Sequence, residues 1–102
     1  PKRGRKKTQL KIKFDFMNIL QRADSIVNAR LEENHRNYGD FNESMQRMAN
    51  IFNALTGHNL SVKDMFIAMV ALKFSRESFS HKEDNLLDAV AYIGALNNYL
   101  NS

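Results

Sequence analysis

Hydrophobic residues recur every three or four positions through most of the chain, which is the period of an amphipathic helix. The predicted helices span about residues 14–35, 40–56, 61–78 and 81–100. The expected core stripes are Phe41, Met45, Met48, Phe52 and Leu55 in the second helix, and Leu86, Ala89 or Val90, Ile93, Leu96 and Leu100 in the fourth. Four helices with short links predict an all-α, antiparallel four-helix bundle over residues 14–102.

Residues that start and stop helices support these bounds. Ser61 followed by Asp64 resembles a capping box, in which the side chain of each residue accepts a hydrogen bond from the backbone of the other. Asp40 with Glu43 repeats the pattern before the second helix. Gly57 is the expected C-terminal stop of that helix, because glycine takes a left-handed conformation without strain.

The third helix is apolar beyond a single stripe, with an unbroken apolar run from Met65 to Leu72. A helix that is apolar on every side has to be buried on every side. Three neighbouring helices cannot cover it all, so we expect it to lie at the centre of the bundle and to be covered further by a second chain. The simplest such homo-oligomer is a two-fold dimer.

Composition narrows the class of protein. A length of 102 residues and an apolar content of 43% fit one domain. The chain has no Cys, which excludes disulfides and thiolate metal sites. No apolar stretch reaches the roughly 18 residues of a membrane span, and the N-terminus has no apolar signal-peptide core. A soluble intracellular protein without a membrane span is therefore expected.

The charge is unevenly placed along the chain. Residues 1–13 contain seven of the 15 Lys and Arg residues and none of the 11 Asp and Glu residues. The net charge of +4 therefore describes a basic arm, residues 1–13, on a mildly acidic body.

The arm carries a candidate nucleic-acid-binding signal. An Arg-Gly-Arg sequence within it resembles an AT-hook, whose arginines enter a narrow A·T minor groove. The Pro that usually follows the second Arg is Lys6 here. We favour the interpretation that the arm is a polybasic tail that binds DNA without sequence preference. RNA, an anionic membrane and an acidic protein are further candidate partners. The candidate contact residues are Lys2, Arg3, Gly4, Arg5, Lys6 and Lys7.

A second candidate site lies where the third and fourth helices meet. Lys73 and Arg76 share one helical face, and Asp84 and Asp88 share another. The structural interpretation, which composition alone favours, is that these four residues form ion pairs across the hairpin. The functional interpretation is that the two carboxylates hold Mg²⁺ while the two cations contact phosphate. Glu33, at the end of the first helix, is a further candidate metal ligand, although a solvated helix end is its alternative role.

Three stretches together resemble known domains: residues 37–43, residues 69–76 and residues 83–92. The combination is similar to small phage-encoded domains of unknown function, to nucleotide-modification-associated domains and, more distantly, to the MazG-like all-α nucleoside triphosphate pyrophosphohydrolases. The resemblance covers about residues 24–100. It implies an all-α fold, a dimer or tetramer, and a nucleotide pocket between helices.

In the active pyrophosphohydrolases, Mg²⁺ is held by an E-x-x-E pair on one helix and an E-x-x-D pair on a later one. This chain has Glu32 and Glu33 but no E-x-x-E, and Asp84 and Asp88 are one residue too far apart for E-x-x-D. Asn85 and Asp88 have the right spacing with only one carboxylate. The resemblance therefore implies the fold more strongly than the catalysis.

Two functions remain open from the sequence. The first is a MazG-like, phage-type nucleotide-binding protein, and whether it acts as a degenerate Mg-dependent nucleoside triphosphate pyrophosphohydrolase is undecided. The second is a non-enzymatic oligomer that uses its basic arm to bind nucleic acid or to assemble into a virion. The corresponding locations are the cytoplasm of an infected host and the virion.

Overall fold

The computed structural model describes residues 17–29 and 41–102. Within these ranges the chain is all-helical. The helices are α1 (Ile19–Asp24), which continues as a π-helical turn (Ser25–Ala29), α2 (Phe41–Thr56), α3 (Val62–Phe79) and α4 (Glu83–Leu100). The basic arm, Glu33 and Asp40 lie outside the described residues.

Local side-chain chemistry sets several helix ends. Ser61 and Asp64 form the predicted capping box, with Ser61 N to Asp64 Oδ2 at 2.9 Å and Asp64 N to Ser61 Oγ at 3.1 Å. Asn18 and Gln21 form a second capping box, so the helix begins at Ile19. The predicted start near residue 14 is therefore wrong, because the side chain of Asn18 satisfies the first free backbone amides of a helix that starts later.

α4, rather than α3, is the central helix. It packs on α3, α1 and α2 and contributes buried residues to both hydrophobic clusters of the core. The larger cluster joins α2, α3 and α4, and the smaller one joins α1 to α4. Their buried members are Met45, Ala49, Val62, Met65, Phe66 and Ala95 in the first, and Ala23, Leu87 and Ala91 in the second.

The expectation that α3 is covered on every side is not met within one chain. Its buried residues are Val62, Met65 and Phe66, and much of its remaining apolar surface is exposed. The predicted stripe of α4 is also partly wrong, because Ile93 and Leu100 are about half exposed. Buried alanines, Ala89, Ala91 and Ala95, let the neighbouring helices approach α4 closely instead.

Two glycines should respond to alanine with opposite signs. Gly57 ends α2 with φ of 76°, and its amide donates to Asn53 O at 2.9 Å. Gly57→Ala is expected to lower the free energy of unfolding by about 1 kcal/mol, because L-residues rarely adopt this conformation. Gly94 lies inside α4, where an added Cβ would sit 4.0 Å from Val27 Cγ2, an ordinary contact.

Gly94→Ala is therefore expected to raise the free energy of unfolding by about 0.5–1 kcal/mol through helix propensity. Urea denaturation of the two variants beside the unmodified protein measures both effects. Equal changes of the same sign would contradict the assignment of the left-handed conformation to Gly57 alone.

Candidate functional site

The α3–α4 hairpin brings the predicted charged corner together. Contacts along it run antiparallel: the Phe66 and Tyr99 rings lie 6.0 Å apart near the open end, and Asn85 Nδ2 donates to Glu77 Oε1 at 3.3 Å near the link. Between them, Lys73 Nζ lies 3.2 Å from Asp88 Oδ2. The two helices therefore position the basic end of α3 beside the acidic start of α4.

The Lys73–Asp88 pair is the ion pair that the structural interpretation of the corner predicts. Only 13% of the Lys73 side chain is exposed, against 41% for Asp88. The aliphatic part of Lys73 is thus packed between helices while its ammonium group reaches the partly solvated carboxylate. Such a pair is costly to break on one side alone, because the remaining charge is left poorly solvated.

The other two members of the predicted corner do not pair. Arg76 and Asp84 are both exposed, and neither makes an ion pair with another residue that the structure describes. Arg76 lies one turn beyond Lys73, and Asp84 lies one turn before Asp88. The corner therefore consists of one half-buried ion pair flanked by an accessible guanidinium group and an accessible carboxylate.

Glu77 is the residue that organises the hairpin link, and the sequence analysis missed it. Its carboxylate contacts the His81 ring and accepts hydrogen bonds from Lys82 N at 3.0 Å and from Asn85 Nδ2 at 3.3 Å. Asn85 is buried, and its amide also lies 3.4 Å from Ser80 O. The spacing of Glu77 and His81, four residues apart, was the signal that could have revealed the link.

Hydrogen bonding lowers the pKa of Glu77 from its ordinary value of 4.5, with His81 as the largest cause and the Lys82 amide as the next. A carboxylate with a lowered pKa stabilises the fold above its unfolded-state pKa, and this stabilisation is lost as the pH falls through the folded value. The effect therefore belongs to the acid side, below pH 4.5.

Glu77→Gln should accordingly flatten the acid dependence of stability. We expect the unmodified protein to lose more stability than the variant between about pH 5 and pH 3, as measured by urea denaturation across that range. Glu43→Gln, at an exposed glutamate on α2, serves as the control and should keep the original slope. If the stability of all three proteins fell equally with pH, Glu77 would not contribute to the acid dependence.

Tyr92 follows Asp88 by one helical turn and borders the corner. Burial raises the pKa of its phenol, and the negative charge of Asp88 raises it further. Its ring meets Phe41 edge-on, with ring centroids 5.4 Å apart. A neutral, half-buried phenol thus separates the charged corner from the core.

Polar contacts also join α1 to α4, away from this corner. Arg22 Nη1 lies 2.7 Å from Glu83 Oε1, and Arg22 Nε donates to Met17 O at 3.1 Å. Asn98 Nδ2 donates to Asn28 Oδ1 at 2.9 Å in the π-helical turn. These bonds help to orient the short first helix against α4. They could not be predicted from the spacing of residues in the sequence.

Two of the predicted metal ligands, Asp84 and Asp88, lie within the described residues, and Asp88 is already paired with Lys73. Among residues 17–29 and 41–102, no three His, Asp or Glu side chains converge as a metal site would require. Mg²⁺ commonly uses one or two protein carboxylates plus substrate phosphates, so Asp84 and Asp88 fit it only as part of such a set. Glu33 and the six arm residues lie outside the described ranges.

None of the described helices combines the length and the apolar character that crossing a membrane requires. Residues 18–100 match the family model of a domain of unknown function, DUF6378. The chain belongs to the DUF6378 family. No curated protein and no solved structure matches it. DUF6378 membership thus covers the helical body from the Asn18 cap to the end of α4, and it assigns no activity to the corner.

Proposed function

We propose that this protein binds a nucleotide at the α3–α4 corner, with Lys73 and Arg76 contacting its phosphates. The observation that carries the proposal is the geometry of the corner. Lys73 is held at a defined place by Asp88, 3.2 Å away, and Arg76 projects one turn farther along the same helix with no competing partner among the described residues. Arg presents a planar fork of donors that matches phosphate oxygens.

The resemblance to MazG-like and phage-encoded domains supports the same proposal, since those folds carry a nucleotide pocket between helices. Asp84 and Asp88 would hold Mg²⁺ together with phosphate oxygens, and a bound ion would neutralise phosphate charge. Two carboxylates, one of them ion-paired, provide less charge than the two motif pairs of the active pyrophosphohydrolases. We therefore propose binding as the function, with pyrophosphate release as the additional outcome to be looked for.

A thermal-shift screen of nucleoside mono-, di- and triphosphates, with and without Mg²⁺, tests the proposal. We expect at least one nucleotide to raise the melting temperature. Arg76→Gln should weaken its binding by about tenfold to a hundredfold, since hydrogen bonds to charged groups contribute about 1.5–3 kcal/mol. Arg47→Gln is the matched control, because Arg47 is exposed on α2 and bonds Ser44 Oγ.

Two further measurements extend this experiment. Asp84→Asn should remove any Mg²⁺ dependence without disturbing the fold, because Asp84 is exposed and outside the ion pair. Assaying pyrophosphate in the same samples shows whether binding leads to hydrolysis. The absence of a shift with any nucleotide at millimolar concentration would overturn the proposal.

A second candidate function rests on the charge separation, with seven basic and no acidic residues in the first 13. On this view the arm binds nucleic acid through counterion release, so affinity should fall steeply with salt. Deleting residues 2–7 should abolish salt-sensitive binding to duplex DNA and leave nucleotide binding unchanged. Retained DNA binding after the deletion would exclude the arm as the DNA-binding segment.

The homo-oligomer expected from the sequence is also proposed. Its support is that large apolar residues of α3 are exposed in a single chain, Phe79 at 93% and Phe74 at 52%. Exposed apolar patches of this kind are typical of interaction surfaces.

A further inference from the structure

Between Ile67 and Phe79, Arg76 is the one exposed charged residue of α3, and it lies at the edge of the outward face of the helix. Eight of the exposed residues in this range form one face, and every one is apolar or serine. They are Ile67, Ala68, Ala71, Leu72, Phe74, Ser75, Ser78 and Phe79, and they are called the α3 face below. A surface helix of a monomer normally carries charged residues on its solvent side, so this face is unusual for a surface left in water.

The α3 face is large enough to matter energetically. Phe74 and Phe79 alone present roughly 200–350 Å², since an aromatic side chain offers about 150–250 Å². Ile67 and Leu72, both more than a third exposed, bring the four large side chains to on the order of 500 Å², the upper range for a monomer's largest patch. With the small residues between them, the area approaches the roughly 800 Å² per partner of a stable interface.

The large and small residues of the α3 face are arranged symmetrically about the level of Lys73. Ile67 and Phe79 are both six residues from that level, and Leu72 and Phe74 are both one residue from it. The small residues follow the same rule: Ala68 and Ser78 lie five residues away, and Ala71 and Ser75 lie two. The order of large and small residues along the face is therefore the same in both directions.

We infer that the α3 face binds a second copy of this chain in an antiparallel arrangement, with the two-fold axis at the level of Lys73. The inference rests on the proposed self-association and names its interface. On a helix of 3.6 residues per turn, each large residue then lies across from a small one. Phe79 faces the partner's Ala68, and Ile67 faces the partner's Ser78.

A second copy fits this surface better than a charged macromolecule. The eight residues of the α3 face offer no cation to phosphate and no carboxylate to a basic peptide, and Arg76 at its edge is a single charge, so electrostatic complementarity with such partners is weak. A two-fold contact requires a patch that is complementary to itself. The reversed order of large and small residues provides that self-complementarity, and small residues at the centre let the two backbones approach closely.

The first experiment measures the oligomeric state of the full chain by sedimentation velocity over a range of concentrations. The unmodified protein should be dimeric, and Ala71→Glu should weaken the association at least tenfold, because it buries two like charges near the two-fold axis. Ala71 is exposed and Glu is a good helix former, so the fold is retained. Leu55→Glu, at an 81% exposed leucine on α2, is the control and should remain dimeric.

The second experiment tests the direction and register of the pairing with single cysteines, since the chain has none of its own. In the antiparallel arrangement the Cα of Ala71 lies about 4–6 Å from that of the partner's Ser75, and about 7–8 Å from that of the partner's Ala71. Only the first separation suits a disulfide. A mixture of Ala71→Cys and Ser75→Cys should therefore cross-link much faster than either variant alone.

The outcomes separate the parts of the inference. A chain that stays monomeric at all concentrations overturns both the self-association and the interface. A dimer that survives Ala71→Glu overturns the α3 face while leaving an oligomer elsewhere. Faster cross-linking of Ala71→Cys alone than of the mixture overturns the antiparallel register.

Discussion

Replacing Phe66 by Ala is expected to lower the free energy of unfolding by about 3–5 kcal/mol. Phe66 is completely buried, and it is the largest such side chain among the described residues. It packs in the cluster shared by α2, α3 and α4, with the Tyr99 ring 6.0 Å away. The variant loses the transfer free energy of the ring and leaves a cavity that three helices cannot close together. A domain of this size has about 5–15 kcal/mol in total, so the loss is a large fraction.

Chemical denaturation measures this effect, and Phe79→Ala is its matched control on the same helix. Phe79 is 93% exposed, so the same substitution should change the stability of one chain by no more than about 0.5 kcal/mol. Both variants are best compared in the Ala71→Glu background, where self-association adds nothing to the measured value. Equal losses at the two positions would contradict the assignment of Phe66 to the core.

The end of α2 and the start of α3 could be predicted because local chemistry sets them. Ser61 with Asp64 caps α3 as predicted, and α2 ends at Thr56, one residue before Gly57. Such signals act within four residues, so they can be recognised without knowledge of the tertiary packing. The start of α1 was placed too early because its apolar periodicity continues upstream of the Asn18 cap.

Packing partners could not be predicted in the same way. An apolar run shows that a helix has surface to bury, but not which neighbour covers it or whether that neighbour belongs to the same chain. α3 was therefore placed at the centre, which α4 occupies. Alanines gave no signal in a pattern based on large side chains, although Ala91 and Ala95 provide the close contacts of α4.

The charged corner was predictable only in part. Lys73 and Asp88 pair as the structural interpretation predicts, because opposite charges near a hairpin link approach each other whenever the helices pack. Glu77 depends on three hydrogen-bond donors: the His81 ring, the backbone amide of Lys82 and the side-chain amide of the buried Asn85. Only one of those donors, His81, has a spacing that can be recognised in the sequence.

The attachment of α1 depends on α4, which has a consequence for local stability. α1 and its π-helical turn pack mainly on α4, through the cluster of Ala23, Leu87 and Ala91. The Arg22–Glu83 ion pair is partly exposed and contributes little by comparison. Leu87 is the only large aliphatic side chain among the buried members of this cluster, so it should dominate the attachment of α1.

Leu87→Ala is therefore expected to lower the free energy of unfolding by about 2–4 kcal/mol, and to loosen α1 more than the rest of the fold. Shortening the isobutyl side chain to a methyl group leaves α1 with mostly half-buried contacts to α4. Hydrogen exchange should show faster exchange of amides in α1 and its π-helical turn, while the α2–α3 contacts around Phe66 keep their relative protection. Denaturation measures the global loss.

Leu100→Ala, at the half-exposed last residue of the same helix, is the control for this substitution. It should change the stability by no more than about 0.5 kcal/mol and leave exchange in α1 unaltered. Uniform acceleration of exchange across all four helices in Leu87→Ala would mean that α1 and the larger cluster unfold together. That result would contradict the view that α4 joins two separable parts of the core, because a single cooperative unit cannot lose one helix alone.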